Sequence, residues 1–381
     1  MIYSLLAVYS SSVSVAFSRY DGNTTFFLKS QGVMLVFCLF IIVVTHQLPY
    51  RIYSSLAGFF VLVSIILLIL TLIFGVRINE AARWITIPGT GFRIQTSDIA
   101  KVSLVIYMAR LLSRHQHELN DFKLLTRVFI VPIAIVCALI LPENLSTALL
   151  IFGICMLILF IGRVPLKYLA AWLGMAVVGV ILIALLLDMA TEANRVSVWK
   201  DRIENFISGE EDADGDYQSN QAKIAIASGG LIGKAPGNSV QRNMLPQSNS
   251  DFIFAIIIEE YGLFFGAVPI IFVYLILLFR AIAIAKKCET AFPAFLVMGL
   301  TIMIVVQAIL NMAVAVGLFP VTGQTLPMIS WGRTSMLVTS FSLGAILGVS
   351  RVVNARVNNE ELDDEYVENE EDGVIYEGAP A

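Results

Sequence analysis

The stretch SSLAGFFVLVSIILLILTLIFGV, residues 54–76, runs for 23 positions without a single charged side chain. A helix needs about 20 apolar residues to cross roughly 30 Å of hydrocarbon. Inside lipid the backbone must satisfy its own hydrogen bonds, so a helix is the form such a run takes. Nine further apolar runs flank it, at 1–18, 28–46, 96–113, 127–142, 146–162, 167–188, 262–284, 291–317 and 328–352. The 381 residues are 57% hydrophobic and only 14% charged, with a mean hydropathy of +0.81. Soluble domains carry about a quarter charged residues. The sequence therefore reads as an all-α polytopic membrane protein with about ten transmembrane helices. The first run starts at Met1 without a basic leader, so it reads as a span and not as a cleaved signal.

An even number of spans puts both termini on one side. Twelve basic residues fall on that side: Arg51, Arg110, Arg114, Lys123, Arg127, Arg163, Lys167, Arg280, Lys286, Lys287, Arg351 and Arg356. The short loops of the other side hold five: Arg19, Lys29, Arg77, Arg83 and Arg93. The positive-inside rule then places both termini in the cytoplasm. The expected layout is a ten-span membrane domain over 1–355 and an acidic cytoplasmic tail over 356–381. Residues 189–261 form one long extracytoplasmic loop between spans 7 and 8. Within it RVSVWKDRIENFI, 195–207, places Val196, Trp199, Ile203 and Phe206 on one helical face. Such a helix could lie in the headgroup plane or pack against the spans.

Ten of the 29 acidic residues follow Arg356, with no Lys or Arg among them, which predicts a disordered, solvated tail. The body without the tail is net positive. The four cysteines, Cys38, Cys137, Cys155 and Cys288, match no zinc spacing and lie outside the long loop. They read as core thiols, with no disulfide framework.

Two tempting motifs fail. EEDADGDYQ, 210–218, lacks the ligand order of an EF-hand, and its twelfth position from Asp212 is Lys223. SGGLIGKAPG, 228–237, begins with Ser where a P-loop needs Gly and has Ala235 where it needs Ser or Thr. Its glycines read as tight turns and close backbone approach. His46, His115 and His117 make no catalytic cluster.

Polar groups within or beside the spans remain, and such groups are expensive in lipid and mark function. Asp98 and Lys101 lie three apart, on one helix face, as an internal ion pair or a structural brace. Arg83, Trp84 and Arg93 sit at one boundary, where two arginines could bind phosphate and Trp84 could be an ordinary anchor. Glu143 and Asn144 interrupt an over-long apolar run. Arg333 opens the last span. Asp251 stands at the mouth of the apolar run LPQSNSDFIFAIIIEEYG, 245–262. Converging on one outer-face cavity, these groups would suit glycosyl transfer from a lipid pyrophosphate. The attacking hydroxyl needs one base. The leaving pyrophosphate needs cations and no acid, supplied by Arg, Lys or a divalent cation (Mg or Mn). A glycosidase needs two carboxylates; here one suffices.

These residues form an ordered set of motifs. GNSVQRNMLPQSNSDFIFAIIIEEYG, 237–262, resembles the signature of the SEDS family (shape, elongation, division, sporulation). AVYSSS (7–12), RWI with QTSDIAK, PENLSTA (142–148) and GLFPVTGQTLPMISWGRTS (317–335) resemble other family motifs in order, over about residues 5–353. The GNSVQ form is closer to the division branch than to the elongation branch. The resemblance implies a peptidoglycan glycosyltransferase at the outer face of the cytoplasmic membrane. Its substrate would be lipid II, the undecaprenyl-pyrophosphate-linked disaccharide-peptide. It would work with a class B penicillin-binding protein transpeptidase and other division membrane proteins, with no nucleic acid. Asp251 falls on the family's essential aspartate and would be the catalytic base. Lys101, Asp98, Arg83, Arg93, Glu143, Asn144, Gln241, Ser250 and Arg333 are the expected substrate contacts. Some positions depart from the pattern. Thr96 replaces Pro, Asp98 replaces Glu, Asn144 replaces Asp, Ser146 replaces Gly, and Arg333 replaces a second Gly. A lipid II flippase and a non-catalytic scaffold that recruits a transpeptidase remain as alternatives.

Overall fold

The computed structural model describes residues 2–12, 24–78, 81–86, 93–190, 215–245 and 248–371. Within the described residues, each of the ten apolar runs falls on a helix. The helices are α1 (Ile2–Ser11), α2 (Thr24–Gln47), α3 (Tyr50–Phe74), α4 (Thr96–Arg114), α5 (Phe122–Ile140) and α6 (Leu145–Ile161). They continue with α7 (Leu166–Ala190), α8 (Gly215–Gly229), α9 (Ile253–Gly262), α10 (Val268–Lys286), α11 (Ala291–Ala315) and α12 (Arg333–Glu371). Among the described residues, seven stretches are long and apolar enough to cross a membrane by length and composition, with α9 and α10 counted as one stretch. The amphipathic stretch 195–207 lies outside the described residues. The helical backbone of α12 continues to Glu371, into the acidic segment that begins at 356.

The fold is mostly helical, and the all-α expectation needs one correction. A three-stranded antiparallel sheet joins α3 to α4, with β1 (Val76–Ile78), β2 (Ala81–Thr86) and β3 (Arg93–Gln95) in that order. Trp84 pairs with Gln95 and Thr86 with Arg93. Strands of three to six residues are too short to show a period beside apolar runs of twenty.

α11 is the central helix. In its most apolar window 67% of residues are buried, against 11% for the peripheral α7. It packs on α4, α6, α10 and α12, while α2 packs on α12 and α3 on α4. Small residues set the close crossings. A methyl at Gly344 of α12 would lie 1.7 Å from Thr45 Oγ1 of α2, so only glycine fits there.

The segment from α8 to α10 is built on three glycines. Gly262 takes φ 74° and ψ −177°, which ends α9 and breaks the apolar stretch Ile253–Lys286. Its missing side chain admits the backbone of Leu231, Ile232 and Gly233. Gly229 and Gly233 in turn lie against the backbone of Ile258–Glu260. The close backbone approach read from SGGLIGKAPG is the one observed. A π turn, Leu263–Ala267, leads on into α10.

Candidate active site

Asp251 sits in the turn that precedes α9, 8% exposed. Partners from distant segments fix the turn. Trp331 N donates to the Asn249 carbonyl at 2.8 Å, and Ser330 Oγ donates to the Ser250 carbonyl at 2.7 Å. Asn311 Nδ2 of α11 donates to the Asp251 carbonyl at 2.9 Å, and Ser248 Oγ donates to the Ser11 carbonyl at 3.1 Å. The carboxylate itself accepts from Ser250 Oγ at 2.7 Å. Burial pushes the Asp251 carboxyl above the usual carboxylate range; the Ser250 hydroxyl and the Arg83 guanidinium pull it partly back.

A cavity of about 450 Å³ opens beside Asp251. Its lining joins Ser250 and Asp251 to Arg83, Trp84, Arg93 and Gln95 of the sheet, Asp98 of α4 and Gln218 of α8. Val321, Thr322, Gly323, Thr325, Trp331, Gly332, Thr334 and Ser335 complete the lining. The sheet register explains one part of this wall. Trp84 faces Gln95 across the strands, and alternation puts Arg93 on that same face. Arg83, on the opposite face, donates from Nε to the Glu143 carbonyl at 3.0 Å and still reaches the cavity. Gly323, at φ 69°, lies against both Asp251 and Arg83. A methyl there would be 3.7 Å from both Arg83 Nη1 and Asp251 Oδ2.

Five of the ten candidate residues therefore line one cavity: Asp251, Ser250, Asp98, Arg83 and Arg93. Lys101 stands behind its wall. Lys101 Nζ lies 3.3 Å from Asp98 Oδ1, both buried, and also donates to Gln307 Oε1. The spacing-based ion pair is thus present. Glu143 and Asn144 line a separate small pocket shared with Arg83. Asn144 caps α6, accepting from Thr147 N at 3.1 Å, which an amide does as well as a carboxylate. Arg333 lies over the Trp331 ring at 5.9 Å, a contact that offsets its position at the positive end of α12.

Gln241 is outside the cavity lining. Its backbone N–H donates to Glu259 Oε2 at 3.3 Å. Glu259, fully buried, also accepts from Val240 N at 3.1 Å, from Lys234 Nζ at 2.9 Å and from Ser239 Oγ. Glu260 accepts from Ser10 Oγ of α1, with Arg242 Nη1 4.0 Å away. The acidic pair braces the 228–242 segment against α9 and α1.

Sequence reading passed over Gln95, Gln218, Gln307, Asn311 and Gly323. Gln307 and Asn311 had a signal, being polar side chains one turn apart inside an apolar run. Among the described residues no group of three or more His, Cys, Asp or Glu is placed to hold a metal. Asp98 and Asp251 are the two carboxylates of the cavity, and a divalent cation there would be held by them.

A helical membrane bundle with a buried carboxylate and two arginines in one cavity defines a class of polytopic membrane proteins with an enclosed, charged site. The chain belongs to the FtsW, RodA and SpoVE family of cell cycle proteins, whose description matches residues 1–355. It is similar to a probable peptidoglycan glycosyltransferase FtsW of Trichlorobacter lovleyi, 33% identical over 91% of this chain and 89% of the relative. A protein of the same name from Escherichia coli O6:H1 is 32% identical over 90% of this chain and 81% of its own. Among solved structures, the rod shape determining protein RodA of Thermus thermophilus superposes with a TM-score of 0.62 at 25% identity, covering 92% of this chain and 95% of its own. A chain from a peptidoglycan synthase complex, solved to show coordination of polymerization and crosslinking, shares the fold. Its TM-score is 0.68 at 23% identity, with 91% and 96% covered.

Proposed function

We propose that the chain is the peptidoglycan glycosyltransferase of cell division, polymerising lipid II into β-1,4 glycan strands and releasing undecaprenyl pyrophosphate. The observation that carries the reading is the placement of buried Asp251 in one cavity with Arg83 and Arg93. The FtsW relatives, named peptidoglycan glycosyltransferases, support it. Asp251 takes the proton of the 4-hydroxyl of the acceptor GlcNAc. That oxygen attacks the anomeric carbon of the donor MurNAc, the bond to pyrophosphate breaks, and the configuration inverts. Arg83 and Arg93 balance the charge that grows on the leaving group. A raised carboxyl suits this work, because once ionised it is a stronger proton acceptor than an ordinary aspartate.

In this reading ten spans place both termini in the cytoplasm and the cavity at the outer face of the inner membrane, at the septum. The substrate reaches the cavity while its lipid stays in the bilayer. A class B penicillin-binding protein crosslinks the product, and other division membrane proteins join the assembly. The superposition on a chain of a peptidoglycan synthase complex supports the crosslinking partner.

The test is polymerisation of purified lipid II by the purified chain with its cognate class B penicillin-binding protein, read as glycan ladders on a gel. Wild type makes ladders, and folded Asp251→Asn loses at least about 100-fold of that activity. Ladders from both would move the base elsewhere. Ladders from neither would favour the flippase or scaffold reading, which a lipid II translocation assay then separates.

A further inference from the structure

α11 carries two amides on one face. Gln307 and Asn311 are four residues apart, 4% and 1% exposed. A buried amide is costly unless it is bonded, and both are bonded to segments outside their own helix. Asn311 Nδ2 donates to the Asp251 carbonyl at 2.9 Å and to the Gln324 carbonyl at 2.7 Å. An amide nitrogen has two hydrogens, so both are committed. Gln324 lies between Gly323 and Thr325, which line the same cavity as Asp251. One side chain thus ties the two lining segments together. One turn earlier, Gln307 Nε2 donates to the Thr325 carbonyl at 2.9 Å, and Oε1 accepts from Lys101. Lys101 holds Asp98 in a third lining segment.

The backbone at Asp251 has no ladder of its own to hold it. α9 starts its bonding one residue later, with Ala255 N and Ile256 N on the Phe252 carbonyl at 3.0 and 3.3 Å. Asn311 Oδ1 is buried with no hydrogen-bond partner among the described residues, so the side chain is kept for its donors.

We propose that Asn311 is a positioning residue for Asp251. It pins the backbone of the base to the segment at Gln324, so that carboxylate and Arg83 both stay against Gly323. Gln307 holds the Asp98–Lys101 corner from the same face. The proposal rests on Asp251 being the base of the polymerase reading.

The experiment uses the full chain in complex with its cognate class B penicillin-binding protein, with lipid II as substrate. Asn311→Ala and Asn311→Ser, which keeps one donor, are compared with wild type by kcat, KM and the pH profile of kcat/KM. Asn311→Ala is expected to lower kcat about 100-fold, with KM within about threefold. Its acid limb moves to lower pH, because water entering a loosened turn relieves the burial that holds the Asp251 carboxyl up. Asn311→Ser falls between the two. A loss of activity that only tracks the folded fraction, with the acid limb unmoved, overturns the proposal. So does wild-type activity, or failure of both variants to fold. Asp251→Asn runs alongside. Ladders surviving in it would sink the base assignment, whereas ladders lost in it but intact in Asn311→Ala would sink only the positioning role.

Discussion

Asp251 works under opposing influences that a single substitution can separate. Burial raises its carboxyl, while Ser250 and Arg83 lower it. With Asp251 as the proposed base, the active form is the ionised one, so activity climbs with pH through the folded-state value. Arg83→Gln removes a lowering influence, and the acid limb of kcat/KM should move to higher pH, opposite to the shift expected for Asn311→Ala. Stability carries the reverse sign. A carboxyl raised in the folded state penalises folding once the pH exceeds its ordinary value, and the penalty fades as pH falls through the raised value. Asp251→Asn should therefore melt at or above the wild-type temperature at pH 7.5 while losing activity. A melting point several degrees below wild type would contradict that account. Gly323→Ala tests the space beside Asp251 and Arg83. It should lower polymerisation at least tenfold, at a folding cost of about 1 kcal/mol from its φ of 69°.

At the scale of elements, the break at Gly262 is what lets α9 stand apart from α10 and seat the 228–242 segment. Gly262→Ala would put a methyl 2.4 Å from the Leu231 carbonyl oxygen and the Ile232 carbonyl carbon, both backbone atoms that cannot step aside. A loss of at least about 2 kcal/mol is expected, measured as a lower melting temperature in detergent. Several of these elements were partly legible in the sequence. SGGLIGKAPG announced tight turns, but not that its partner was the Ile258–Gly262 backbone some thirty residues on. RWIT carries the strand-favouring Trp, Ile and Thr, yet the apolar runs on both sides dominate any window that contains it. Gln307 and Asn311 are amides inside the apolar run 291–317, and nothing in the sequence says which distant segments they bond. Asn144 looked like a lost carboxylate and is a helix cap, a role to which charge is incidental.

For the whole molecule, the bilayer did most of the specifying. Lipid forces long apolar helices, so ten runs could be counted and each fell on a helix within the described residues. Seven meet the length and composition of a span; α1, α4 and α6 are shorter or less apolar. The convergence of Arg83, Asp98 and Asp251 was not legible, because it depends on α11 and on bonds between residues more than a hundred positions apart. The proposed topology can be checked by thiol labelling. With the other native cysteines replaced by Ala, an impermeant reagent should label Tyr217→Cys in intact cells. It should reach Cys288 only after permeabilisation, and labelling of Cys288 in intact cells would reverse the orientation. The three-stranded sheet also dictates where such a chain can change length over evolutionary time. Residues gained or lost between Thr86 and Arg93 leave the register of β2 on β3 intact. One residue gained inside β2 or β3 turns Trp84 or Arg93 to the opposite face of the sheet and breaks the pairing of Trp84 with Gln95. The strand register that sets the faces of the two arginines is thus inherited as a count as much as an identity, and indels in homologous chains should fall between β2 and β3 and spare the strands.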